Sequence, residues 1–171
     1  MGASTPPGAT LRRGSLRVAL PPDRALELFT AEGERHWAPG WEPRFVDPPD
    51  GAPVEGGIWL TRDGDAEVIW RVQRFDRAAR QAEYLRVVPG NRIALVSVRC
   101  DAEGAGTRAT VSYEVTPISD VGRAWLAAFS EAEYAGMMRE WERLIAAHLA
   151  QRVSGSYPAI DPARARTRAP T

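Results

Sequence analysis

The chain has 171 residues, 44% hydrophobic and 26% charged, the proportions of an ordinary globular protein large enough to bury a core. Its 22 basic and 22 acidic residues cancel, so no concentrated positive charge marks it as a nucleic-acid binder. Every basic residue is arginine, which excludes Schiff-base lysines and lysine-dependent phosphate loops.

One cysteine, Cys100, permits no intramolecular disulfide, and two histidines are too few for a histidine-rich metal site. No metal or cofactor is expected. The first ten residues lack a basic region followed by an apolar run, so no secretory signal is expected there. Gly2 suits myristoylation, but Pro6 stands where serine or threonine is wanted. No apolar stretch is long enough to span a bilayer. The expectation is a cytoplasmic chain without membrane insertion.

Residues 1–9 are small, polar and proline-rich, which predicts a disordered tail. A single domain over 10–152 follows. Residues 11–20 alternate, with Leu16, Val18 and Leu20 on one side, and read as a first strand. The period then changes. Pro22 or Asp23 opens a helix whose buried face is Ala25, Leu26 and Phe29, and Gly33 is expected to break it before a second short turn carrying His36 and Trp37. A proline- and glycine-rich segment holds one short extended piece, 43–46.

Strands are expected over 57–61, 67–75, 81–88, 92–101 and 107–116, separated by turn formers such as Pro89-Gly90-Asn91. In the last of them Ala109, Val111, Tyr113 and Val115 share one face against Arg108, Thr110, Ser112 and Glu114, the mark of an antiparallel sheet covered on a single side. A short helix over 119–129 precedes a long one over 130–152. There Tyr134, Met137, Met138, Trp141, Leu144, Ile145, His148 and Leu149 fall in steps of three and four. Ser130 and Glu133 form a capping-box pattern at its start. Residues 153–171 are expected to be a second disordered tail.

This order, with the stretches LFTAEGERHWAPGWEPRF, GGIWLTRDG, VIWRVQRFD, YLRVVPGNR, VSYEVTPIS and MMREWERLIAAHL, resembles the START/SRPBCC superfamily over about residues 11–149. The resemblance implies an α+β helix-grip fold: a curved antiparallel sheet wrapped around a long C-terminal helix, with two short helices between strands 1 and 2. It also implies a ligand space between the concave face and that helix. Members include binders, carriers, cyclases and co-chaperone-like domains, so fold alone does not choose among them.

Six tryptophans in a small domain can line such a space or simply fill a core. The candidate lining residues are Trp37, Trp41, Trp59, Trp70, Tyr84, Tyr113, Met137 and Trp141, with Trp70, Tyr113 and Trp141 foremost because each lies on a dry face. Met137 and Met138 suit an adaptable wall. Arg86 and Arg99 lie on central strands; an inward guanidinium can hold a ligand carboxylate or enolate, and Arg99 is carried as a ligand-binding candidate. His36 is the candidate catalytic residue, since imidazole exchanges a proton near neutral pH, although Glu32 and Glu34 also make it a candidate for an exposed ion pair. His148 reads as a core histidine bonded to a backbone carbonyl, and Cys100 as an inert small hydrophobe.

Three apparent motifs fail on context. Gly104-x-Gly106-x-x-Ala109 sits in a hairpin with no helix after it, Asp63 and Asp65 lack the rest of a calcium loop, and Arg164, Arg166 and Arg168 read as a solvated tail. The leading functional expectation is binding of a small hydrophobic or aromatic molecule, with no nucleic-acid partner. The alternatives are a cyclase/dehydratase-type enzyme acting on a polyketide-like substrate, or a co-chaperone-like interaction module.

Overall fold

The computed structural model describes residues 8–154; the expected tails 1–9 and 153–171, with the three tail arginines, lie almost wholly outside them. Seven strands form one antiparallel sheet in the order β1-β7-β6-β5-β4-β3-β2. They are β1 (Thr10–Val18), β2 (Arg44–Asp47), β3 (Ile58–Asp63), β4 (Ala66–Asp76), β5 (Gln81–Val88), β6 (Arg92–Glu103) and β7 (Gly106–Pro117). Between β1 and β2 the chain crosses the sheet through α1 (Pro22–Glu27) and α2 (Ala31–Glu34). After β7 come α3 (Asp120–Ala128) and the long α4 (Glu131–Ser154). Among the described residues no helix is long and apolar enough to cross a membrane.

The alternation of side chains sets which face is buried. Register puts Gly14, Val111, Val98 and Ala82 in one cross-strand row, and Arg12, Tyr113, Val96, Tyr84 and Val72 in the next. These rows form the concave face, and their valines and Ala82 are nearly sealed from water. The outer face is not simply polar. Leu85, Val87, Ile93 and Leu95 occupy it on the two central strands and half-bury one another, which the pattern of β7 alone did not suggest. A bulge between Val72 and Arg74 interrupts β4, the kind of extra residue that bends a strand.

The helix α4 lies over β1 and is fixed there by named contacts. The Tyr134 hydroxyl donates to the Val111 carbonyl at 2.7 Å, and the Arg17 amide donates to Glu142 Oε2 at 2.6 Å. Gly14 permits the close approach, because a Cβ there would stand 2.8 Å from Met138 Cγ. Tyr134, Met138 and Ile145 are buried in this contact, each contributing about 1.5–3 kcal/mol. At the helix start Ser130 Oγ accepts from the Glu133 amide at 3.2 Å, while the Ser130 amide turns to the Ala128 carbonyl, so one half of the capping box forms. The helix runs two residues beyond its expected end at 152.

One expectation about the helix pair is corrected. The break falls at residues 28–30, where Thr30 caps α2 by accepting from the Gly33 amide at 2.9 Å. Gly33 lies inside α2 and serves close packing instead: a Cβ there would stand 1.9 Å from the Glu27 carbonyl oxygen.

Candidate functional site

Three walls face one another across the interior: the concave sheet, the α1–α2 pair with the segment after it, and the inner stripe of α4. Two tryptophans fasten the second wall. Trp37 Nε1 donates to the Leu28 carbonyl and Trp41 Nε1 to the Ala31 carbonyl, both at 2.8 Å. Trp37 then meets Trp141 of α4 edge-on at 5.4 Å between ring centroids. On the sheet, Trp59 and Trp70 stack at 5.7 Å, with Tyr84 against Trp59 and Trp41 against Trp70. Trp70 Nε1 is satisfied by Thr61 Oγ1 at 2.9 Å. Tyr113 packs on Phe129 and Tyr134.

Trp70, Tyr113 and Trp141 therefore belong to three separate aromatic groups, and among the described residues no ring contact joins any two of them. Trp37, Trp59, Trp70 and Tyr84 are almost fully buried, whereas Trp41, Tyr113, Met137 and Trp141 keep some accessible surface. Beside them a recess lined by Phe45, Pro48, Trp59, Val72 and Tyr84 holds about 10 Å³, room for a single water. The Tyr84 hydroxyl and Trp59 Nε1 are buried without a protein hydrogen-bond partner.

The residue that sequence reasoning missed is Glu34, the last of α2. Its carboxylate makes no hydrogen bond or ion pair among the described residues, and burial pushes its pKa from 4.5 up to about 8. The residue nevertheless keeps partial accessibility. Burial also raises the Tyr113 and Tyr84 hydroxyls, and the charge of Glu34 adds to both shifts, so both tyrosines lie within electrostatic reach of it. A signal was present: Ala31, Glu34 and Trp37 are spaced by three, which puts Glu34 on the buried side of the turn.

Two expected site residues are placed elsewhere. His36 lies at the surface with its side chain 57% exposed, 3.8 Å from Glu32, and stacked on His148 at 6.0 Å. Arg99 was expected at the ligand but is on the outer face, paired with Asp101 at 3.1 Å, because the inward positions of β6 are Val98 and Cys100. Arg86 takes the inward position, in register with Trp70 and Ala94. His148 is half-buried, and its Nε2 has no hydrogen-bond partner among the described residues. Its pKa is lowered by burial and by the nearby charges of Arg152 and His36. Cys100 is buried and its thiol is pushed up to about 12, which keeps it an unreactive hydrophobe. Among the described residues no three histidine, cysteine or carboxylate side chains converge as a metal site would require.

Comparison with solved structures places this architecture among known folds. The crystal structure of Ara h 8.0201 superposes with a TM-score of 0.58 at 14% identity, covering 82% of this chain and 99% of that one. Mll3558 from Rhizobium loti gives 0.57 at 18% identity, covering 79% and 96%. TTHA0849 from Thermus thermophilus gives 0.57 at 15% identity, covering 86% and 100%. At these identities the likeness shows the fold, a helix grip, and no more. No curated protein matches the sequence. The profile described as polyketide cyclase/dehydrase and lipid transport matches residues 13–152. With that match over most of its length, the chain belongs to this SRPBCC-type family.

Proposed function

We propose that the protein holds a small hydrophobic or aromatic molecule between the concave face of the sheet and α4. The observation that carries this reading is that Trp70 and Tyr113 of the sheet and Trp141 of α4, among the described residues, share no ring contact with one another. An apolar, aromatic lining with few polar groups is the usual character of a small-molecule site. Glu34 and the two tyrosine hydroxyls supply those few groups. Native mass spectrometry of protein purified without denaturation tests the reading. A discrete small-molecule adduct that disappears on unfolding is expected; absence of any adduct, together with no saturable uptake of the neutral dye N-phenyl-1-naphthylamine, contradicts it.

A second reading, a cyclase/dehydratase-type enzyme acting on a polyketide-like substrate, is favoured by Glu34 alone. A carboxyl that keeps its proton near neutral pH can deliver it to a departing hydroxyl. In this reading Glu34 takes the role that the sequence suggests for His36, whose ring is at the surface. Dehydration of a β-hydroxy ketone separates the possibilities. Loss of turnover in Glu34→Gln but not in His36→Ala supports an enzyme using Glu34; loss in His36→Ala alone returns the role to the histidine.

A further inference from the structure

At one end of the concave face two guanidiniums share one carboxylate. Asp63 closes β3, and its Oδ2 accepts from Arg86 of β5 at 2.9 Å and from Arg92 of β6 at 2.6 Å. Both bonds land on the same oxygen. Among the described residues no second carboxylate pairs with either arginine, so the cluster keeps one uncompensated positive charge. A tether for the β3–β4 hairpin would need only one of them.

The surroundings restrain both cations. Arg92 is 3% exposed, with its guanidinium carbon 3.6 Å from the Trp125 ring centroid of α3. That helix is held over it because Gly122 packs against the Asn91 carbonyl, where a Cβ would stand 1.9 Å away. Arg92 Nη1 donates to Asn91 Oδ1 at 2.9 Å, yet its Nε is buried with no acceptor. Arg86 lies 5.4 Å from the Trp70 ring centroid, its side chain is 14% exposed, and it spends one donor on Asp63. An arginine carries five donors, so most of its fork is unused.

We propose that Arg86 and Arg92 form an anion subsite at the end of the interior space, which selects a ligand whose apolar body ends in a carboxylate or similar singly charged oxyanion. This deepens, and rests on, the proposed binding of a small apolar molecule. Bound at Arg86, the oxyanion completes the charge balance and leaves the body against Trp70 and the adjoining aromatic wall. Arg86 shares the inward face of β5 with Tyr84, in register with Trp70 and Ala94, and its charge lowers the Tyr113 hydroxyl.

Two dyes that share an arylamine skeleton provide the test: 8-anilino-1-naphthalenesulfonate, which bears an anion, and N-phenyl-1-naphthylamine, which does not. Fluorescence titrations of the parent, Arg86→Gln, Arg86→Lys and Asp63→Asn are compared. Arg86→Gln weakens the sulfonate by about tenfold or more beyond any effect on the neutral dye. Arg86→Lys, which keeps the charge but loses the fork, falls between. Asp63→Asn removes the competing carboxylate and tightens the sulfonate, a gain that a purely structural cluster would not give. Should Arg86→Gln fail to fold, the sign of the Asp63→Asn effect decides. Equal effects of Arg86→Gln on both dyes, or weaker sulfonate binding in Asp63→Asn, overturn the subsite. If the neutral dye binds the parent and the sulfonate ignores Arg86, only this inference falls; if neither dye binds, the interior site itself falls with it.

Discussion

An ionised carboxylate at Glu34 would face Tyr84 from β5 and Tyr113 from β7 with no cation paired to it. Desolvation therefore favours the protonated form, and this has a consequence for stability. The pKa is about 8 in the folded chain against 4.5 ordinarily, so the folded state holds the proton more tightly. The resulting stability is fully present below the ordinary value and is lost as pH rises through the folded one. Glu34→Gln should gain on the parent between pH 5 and pH 9 by on the order of 4 kcal/mol in denaturant unfolding. A constant difference between the two pH values would place Glu34 in bulk water. The contrast with His36 has a simple geometric cause: residues two apart in a helical turn point to nearly opposite sides. The turn does continue past α2, since the His36 amide bonds to Gly33 and the Trp37 amide to Glu34. Once the chain is wound there, only one of Glu34 and His36 can face inward.

At the scale of elements, the helix pair depends on an approach that only glycine permits. Gly33→Ala brings a Cβ onto the Glu27 carbonyl and should destabilise by about 2 kcal/mol or more, read from the midpoint of chemical unfolding. An unchanged midpoint would show that α2 is not pressed on α1. Ser130→Ala, which removes one hydrogen bond at the start of α4, should cost only about 1 kcal/mol in the same assay. The strands were legible because alternation with a period of two is hard to mistake over eight to twelve residues, and β5 fell where expected. Arg99 was misplaced at the ligand, because the phase of β6 that gives Val96, Val98 and Cys100 the inward positions is fixed only by its pairing with the neighbouring strands. Arg86 shares its face with Ala82 and Tyr84 for the same reason. The site of the helix break was not legible: Gly33 looks the same in sequence whether it ends a helix or lets one pack closely.

For the whole molecule, the helix grip follows from one long amphipathic helix and a sheet whose concave face is apolar, and both patterns stand in the sequence. The anion cluster does not, because Asp63, Arg86 and Arg92 meet only through the register of three different strands. The proposed function requires that α4 and the sheet leave room for a guest. Its most direct test is a titration of N-phenyl-1-naphthylamine into the parent and into Met137→Trp, where the larger ring would occupy that room from the inner stripe of α4. Saturable binding by the parent, weakened about tenfold or more in a variant that remains folded, is the expected result. Equal binding by both proteins, or none by the parent, would mean that no guest sits between α4 and the sheet.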